Sequence, residues 1–261
     1  MKKNIVISLI VMLLVSLLAA CSGEEETSSA KNGKDDKKIL KMVTAAEFPP
    51  FETRNEAGEI IGFDIDLAEM ISEKLGLELQ IEDMNFDGII GALQAGRADI
   101  AIAGMSATEE RKKNVDFSEE YHHSSQMFIS KPENEVKQME DLKGKVVGVQ
   151  LGSIQEEGAE KLADEYGFEV KKLDNVNIVI QEIMSNRVDV GYMDHEVATG
   201  YMESQDLVGF EDPTESAPGM GIAFPKDSDL VEDVNKILNE LEENGEMEKL
   251  REKWLSDYEA K

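Results

Sequence analysis

From Ile39 onward, short apolar runs alternate with stretches whose apolar residues recur every three or four positions, and this alternation constrains the fold more than any other feature. Residues 39–44 read as a buried strand. Gly62-Phe63-Asp64 then opens a helix in which Ile65, Ala68, Ile71 and Leu75 share a face and Gly76 is the stop signal. A strand at 77–81 follows, then a helix at 86–95 with Ile89, Ile90 and Leu93 on one side and Gly96 as its C-cap, then a strand at 98–103 that runs into Gly104. After Asp116-Phe117-Ser118 the alternation restarts. Strands are expected at 145–150, 168–173, 188–192 and 221–224, and helices from Gly152-Ser153 to about 165, then at 176–185, 229–243 and 246–255. Strands separated by single helices predict mostly parallel sheets covered on both faces. The 261 residues suffice for one large or two modest domains, and no internal repeat points to a solenoid.

Before Ile39 the chain is of another kind. Lys2 and Lys3 precede an apolar run at 5–18 that ends in Leu18-Ala19-Ala20-Cys21. A basic start, a short apolar centre and small residues at a cleavage site describe a secretory signal over residues 1–20. A membrane span is disfavoured, because crossing about 30 Å of hydrocarbon takes roughly 20 residues. Leu-Ala-Ala-Cys resembles the bacterial lipobox, in which the cysteine is acylated and becomes the mature N-terminus. Several acyl chains at about 0.8 kcal/mol per buried CH₂ would hold the protein to a membrane. Residues 21–38 are then a lipidated start and a polar, flexible linker.

Charge excludes further classes. With 55 acidic against 27 basic side chains the net charge is -28, which disfavours nucleic acid as a partner. One cysteine and three histidines (His122, His123 and His195) leave no disulfide framework and no obvious metal cage, so neither metal nor cofactor is expected.

Ligands of parallel α/β sheets lie outside the carboxyl ends of the strands, so the loops after residues 44, 103, 150 and 192 are the informative ones. The first presents Phe48 beside Pro49 and Pro50, and Phe86 starts the next helix; each either covers a ligand or staples its loop to the core. The second, Ala103-Gly104-Met105-Ser106-Ala107-Thr108, leads into a helix carrying Arg111. Backbone N–H groups and a guanidinium fork make a receptor for a carboxylate; the alternative for Arg111 is an ion pair with Glu109 or another surface acid. Gly152-Ser153-Ile154-Gln155 is a second Gly-Ser turn into a helix N-terminus. Asp194 precedes a helix, either as an N-cap or as a partner for a ligand ammonium. A carboxylate receptor on one half and an ammonium acceptor on the other together specify an α-amino acid.

These residues resemble the polar amino-acid solute-binding proteins of ABC importers, the bacterial extracellular solute-binding proteins of family 3. The likeness spans Ile39 to Leu255 and rests on the order and spacing of Phe48-Pro49-Pro50-Phe51-Glu52, Gly62-Phe63-Asp64-Ile65-Asp66-Leu67, Ala92-Leu93-Gln94-Ala95-Gly96-Arg97-Ala98-Asp99, Ala103-Gly104-Met105-Ser106 with Glu110-Arg111, Asp116-Phe117-Ser118, Leu142-Lys143-Gly144-Lys145 and Gly221-Ile222-Ala223-Phe224. The resemblance implies a two-lobed type II periplasmic-binding fold, each lobe a mostly parallel sheet flanked by helices, joined by two hinge strands. Lobe 1 would take 39–121 plus 222–261, and lobe 2 would take 122–221. It also implies that Arg111 grips the ligand α-carboxylate with help from Ser106 and the backbone near Ser153 and Ile154. Asp194 would take the α-ammonium, Phe48 and Phe86 would sandwich the side chain, and Gln150 and Gln155 would lie near its far end.

The chain departs from the family pattern in places. Many relatives, including those for lysine and arginine, carry Asp where this sequence has Ala45; Glu47 stands two residues away. A proline usual after Asp-Phe-Ser is replaced around Glu119-Glu120, and the hinge reads Tyr121-His122-His123. The expectation is a monomeric receptor, lipid-anchored at the extracytoplasmic face of the cell membrane, that binds a free polar amino acid and delivers it to ABC permease subunits. Loss of the acid at Ala45 and presence of Gln150 favour a glutamine-like ligand over a basic amino acid or cystine. A dehydratase-like enzyme with Glu47 as acid or base, and a sensory module on the same fold, are the rivals.

Overall fold

A computed structural model describes residues 38–214 and 217–256. The signal segment, Cys21 and the linker through residue 37 lie outside the described residues. The chain runs β1 (Ile39–Thr44), the short hairpin β2 (Thr53–Arg54) and β3 (Ile60–Ile61), α1 (Phe63–Leu75), β4 (Glu78–Asp83), a 3-10 turn (Phe86–Gly88) leading into α2 (Ile89–Gln94), β5 (Ile100–Ala101), α3 (Glu109–Lys112) and β6 (Asp116–His122). It continues through β7 (Gln126–Ser130), β8 (Val146–Gln150), α4 (Ile154–Tyr166), β9 (Glu169–Leu173), α5 (Val176–Met184), β10 (Val190–Asp194), α6 (His195–Gln205) and β11 (Val208–Glu211). Then β12 (Met220–Phe224), α7 (Leu230–Glu243) and α8 (Glu246–Trp254) close it.

Two five-stranded sheets result, ordered β4-β1-β5-β12-β6 and β9-β8-β10-β7-β11. In each, one strand runs against the others: β12 in the first and β7 in the second. The chain leaves the first sheet between His122 and Gln126 and rejoins it at Met220. The mostly parallel, two-lobed architecture is the one expected. Five strands were not legible, however: the two-residue β2 and β3, and β6, β7 and β11, which follow one another or a crossing without the strand–helix rhythm; β6 carries Glu119 and Glu120 on exposed positions. The strand at 98–103 shrinks to β5, and β10 reaches Asp194, so that acid closes a strand.

Packing explains why the strands lie inside. Leu40 and Met42 of β1 join Phe63, Leu67 and Ile71 of α1 on one face, while Val43 and Ala101 join Ile89 and Leu93 of α2 on the other. In the second sheet Val147, Val149, Phe128 and Tyr192 pack on Leu142 and Ala159, with the Phe128 and Tyr192 rings stacked at 4.1 Å. Its opposite face meets Val179 and Ile183 of α5 and Val197 of α6. Burying each large apolar side chain stabilises by about 1.5–3 kcal/mol.

Gly62 shows how this scaffold shapes the loop after β1. With φ at 142°, it lets α1 start so close to that loop that a Cβ would stand 2.0 Å from the Phe51 carbonyl oxygen. The amides of Phe63 and Asp64 then donate to the carbonyls of Pro50 and Phe51 at 3.1 and 2.9 Å, fixing the segment that carries Phe48 and Glu52. Among the described residues no helix is long and apolar enough to cross a membrane.

Candidate functional site

The carboxyl ends of β1, β5, β8 and β10 converge on one pocket. Phe48, Phe86, Ala103, Gly104, Ser106 and Arg111 line it from the first lobe, and Gln150, Ser153, Ile154, Gln155 and Asp194 from the second. These eleven candidate ligand contacts therefore border one cavity, together with Ala45 and Glu52, while Glu47 is not among its lining residues.

Arg111 is placed by α3, whose first turn is capped by Thr108, the hydroxyl accepting the Arg111 amide at 3.2 Å. The side chain is 8% exposed. Nη1 donates to the Ser106 carbonyl at 2.9 Å, Nη2 crosses the cleft to the Gly152 carbonyl at 3.0 Å, and the guanidinium lies 5.3 Å from the centre of the Phe86 ring. Burial lowers its pKa to about 10, against the pull of Glu157 and Asp194, so it stays cationic at neutral pH. Glu109 pairs with Lys112 instead, at 3.0 Å, and among the described residues no carboxylate stands within salt-bridge distance of Arg111. The surface ion-pair alternative is thereby removed. A buried guanidinium held by carbonyls keeps donors to offer a carboxylate.

Asp194 is the counterpart in the second lobe. It occupies the N-cap position of α6, yet its side chain makes no capping bond. Its Oδ1 accepts from Gln126 Nε2 at 3.2 Å and its Oδ2 from Gln155 Nε2 at 2.6 Å. Burial raises its pKa to about 7, Glu196 adds to the rise, and Gln126, Gln155 and His122 oppose it. Gln155 thus sits beside this acid and not at the far end of the pocket, because the first turn of α4 aims it at β10. Gln126, also bonded to Gln155, was missed; it lies on β7, a strand the sequence rhythm did not reveal.

Around these two charges the walls are mixed. Gly104, with φ at 55°, lets the Phe48 ring come within 2.7 Å of where a Cβ would be. Ser153 caps α4, accepting the Glu156 amide at 3.1 Å while donating to the Gln150 carbonyl at 2.6 Å. Gln150 Nε2 reaches across to Glu47 Oε1 at 2.8 Å. Burial pushes Glu47 up to about 7, its Gln150 bond and the Val176 amide working against the nearby Asp83 and Asp174. Met193 and His195 do not line the pocket: Met193 is in the core, and His195 Nδ1 faces Glu211 at 3.0 Å.

The hinge departures have local partners. His122 Nε2 lies 3.0 Å from Glu196 and its ring packs on Phe51 at 5.2 Å. Glu120 accepts the Gly219 amide at 3.0 Å and meets His123 at 2.9 Å, tying the two crossing segments together. Among the described residues no cluster of His, Cys, Asp or Glu has metal-site spacing.

Two lobes joined by paired crossings, with a pocket between them that carries a buried cation on one side and a buried acid on the other, define the type II periplasmic-binding class. The chain belongs to the bacterial extracellular solute-binding proteins, family 3, whose model matches residues 40–257. The arginine-binding extracellular protein ArtP of Bacillus subtilis (strain 168) is 45% identical over 223 residues, covering 84% of this chain and 87% of that protein. A solved ancestral arginine-binding protein bound to arginine superposes with a TM-score of 0.80 at 44% identity, covering 84% of this chain and 99% of its own. One described as bound to glutamine gives 0.79 at 44% identity, covering 84% and 98%.

Proposed function

We propose that this protein is an extracytoplasmic receptor that captures a basic α-amino acid, arginine fitting best, by closure of its lobes and hands it to an ABC importer. The observation that carries this reading is the placement of Arg111 and Asp194, from opposite lobes, in one pocket. Each is buried and held only by neutral hydrogen-bonding groups, and a zwitterion supplies both missing charges: carboxylate for Arg111, ammonium for Asp194. Contacts to both lobes favour the closed state over the open one.

Glu47 selects the basic side chain. The glutamine-like preference rested on the missing acid at Ala45, but Glu47 brings an acid to the same loop, bonded to pocket-lining Gln150 and close to Asp83 and Asp174. With the zwitterion matched, that acid is the charge left for a guanidinium or ammonium side chain. The arginine-binding relatives support the same choice. Acylation of Cys21 would tether the receptor, as a monomer, beside the permease; fatty-acid labelling should be lost in Cys21→Ala, with the protein released from the membrane. Calorimetry with arginine, lysine, histidine and glutamine tests the ligand. Arginine should bind tightest and be recovered unchanged by mass spectrometry; tighter glutamine binding or chemical conversion would overturn the reading.

A further inference from the structure

Beneath the pocket, two fully buried carboxyl groups meet. Glu52 and Asp64 are both 0% exposed, the Asp64 amide donates to the carbonyl of Phe51, the residue before Glu52, at 2.9 Å, and each carboxyl acts on the other's ionisation. Asp64 Oδ2 accepts from the Gly104 amide at 2.8 Å and from the Tyr121 hydroxyl at 3.0 Å. Its Oδ1 and both Glu52 oxygens receive no donor from any described N–H or from any other hydroxyl. Two ionised carboxylates in that arrangement would repel each other where water cannot screen them, whereas one shared proton turns the contact into a hydrogen bond.

We propose that Glu52 is protonated and donates its O–H to an ionised Asp64, and that this pair is the positioning element of the ligand pocket. Asp64 then gathers three donors from three segments. Glu52 belongs to the loop that carries Phe48, closed by paired backbone bonds between Phe48 and Glu52 at 2.7 and 3.1 Å. Gly104 is the pocket floor under the Phe48 ring, and Tyr121 stands where β6 enters the first crossing. One proton thereby sets the ring, the floor and the start of the hinge in register.

The groups facing the pair fit this assignment. Glu47 from the same loop and Asp194 from the second lobe both disfavour a negative charge on Glu52, and Asp64 does so more strongly. On the other side His122 of β6 eases the charge on Asp64, as do Gly104 and Tyr121. Burial raises both carboxyls, and Asp64 already accepts from the Gly104 amide and the Tyr121 hydroxyl, which leaves the charge on Asp64 and the proton on Glu52.

Infrared difference spectroscopy of the full-length protein against Glu52→Gln at neutral pH tests the proton directly. The un-ionised carboxylic acid C=O intensity of the wild type, to which Glu47 and Asp194 also contribute at this pH, should drop by one carboxyl in Glu52→Gln. This arm needs no ligand, so it decides the pair even if the arginine reading fails. The second arm uses L-arginine as the probe. Glu52→Ala leaves Asp64 Oδ1 without a donor and should weaken binding roughly tenfold, and Glu52→Gln, whose amide restores a donor, should recover most of that loss. As pH rises, wild-type affinity should fall beyond the decline that ligand ammonium loss causes in both proteins, and this excess should vanish in Glu52→Gln. A band unchanged by Glu52→Gln, or a Gln variant as impaired as the Ala variant, would overturn the proposal.

Discussion

The two lobes share one strand order and differ in what they place at the cleft. The first presents a cation, Arg111, with the rings of Phe48 and Phe86; the second presents an acid, Asp194, held by Gln126 and Gln155, with the N-terminus of α4 beside it. Neither charge is neutralised within its own lobe. Burying an ion without a counter-ion is unfavourable unless hydrogen bonds satisfy it, and both sites use amides and carbonyls that leave the charge for a ligand to complete. The lesson is that equivalent scaffolds can carry opposite charges; under the proposed function, recognition of a small molecule bearing both requires the two lobes together.

Removing the cation should break the comparison most. Under the proposed function, Arg111→Ala would leave the ligand carboxylate buried without a partner, at about 3–5 kcal/mol of affinity for the amino acid. Wild-type affinity by calorimetry would remove Arg111 from the site.

Asp194 tests the other side, at about 2–5 kcal/mol for Asp194→Asn. It also gives the comparison a pH signature. Its folded pKa is raised to about 7, above the ordinary carboxylate value, so in the unliganded protein the folded state binds more protons than the unfolded chain between those limits. Stability of the unliganded protein should therefore increase as pH falls from about 7 toward 4, while Asp194→Asn flattens that trend in thermal melts. Ligand affinity has the opposite sign, since the ammonium needs the ionised acid. It should fall up to about tenfold per pH unit below pH 7 for a neutral amino acid, and more steeply for a basic one, because Glu47 also titrates at about 7.

Glu47→Gln sharpens specificity. Loss of the charge-assisted contact should weaken arginine by about 1.5–3 kcal/mol and leave glutamine nearly unchanged; equal losses for both ligands would argue that Glu47 does not meet the side chain. Phe48→Leu should have the smallest effect, about 1 kcal/mol, by removing a ring face from a guanidinium while keeping apolar cover. Measured affinities of arginine and glutamine would show whether the loss is confined to the cation.

Local periodicity carried much of this. Helices α1, α4, α7 and α8 and strands β1, β8 and β9 were legible within a few residues, because burial on fixed faces imposes periods of about 3.6 and 2. The same periodicity was silent for β7, whose pairing depends on strands far along the chain, and so Gln126 went unnoticed although it lies against Asp194. Glu52 was visible only as one letter in a motif. Its importance comes from Asp64, a contact made when Gly62 lets α1 start against the loop after β1.

The sequence by itself determined the alternation of elements, the loops at strand ends and the residue types able to hold a zwitterion, because these follow from spacing and local chemistry. Only the tertiary structure decided which way the ambiguous side chains turned. Arg111 left Glu109 for carbonyls on both lobes, Asp194 gave up its cap for two glutamines, and Glu47 crossed to Gln150. Those choices depend on burial and on partners distant in sequence, which exist only once the lobes have folded and met.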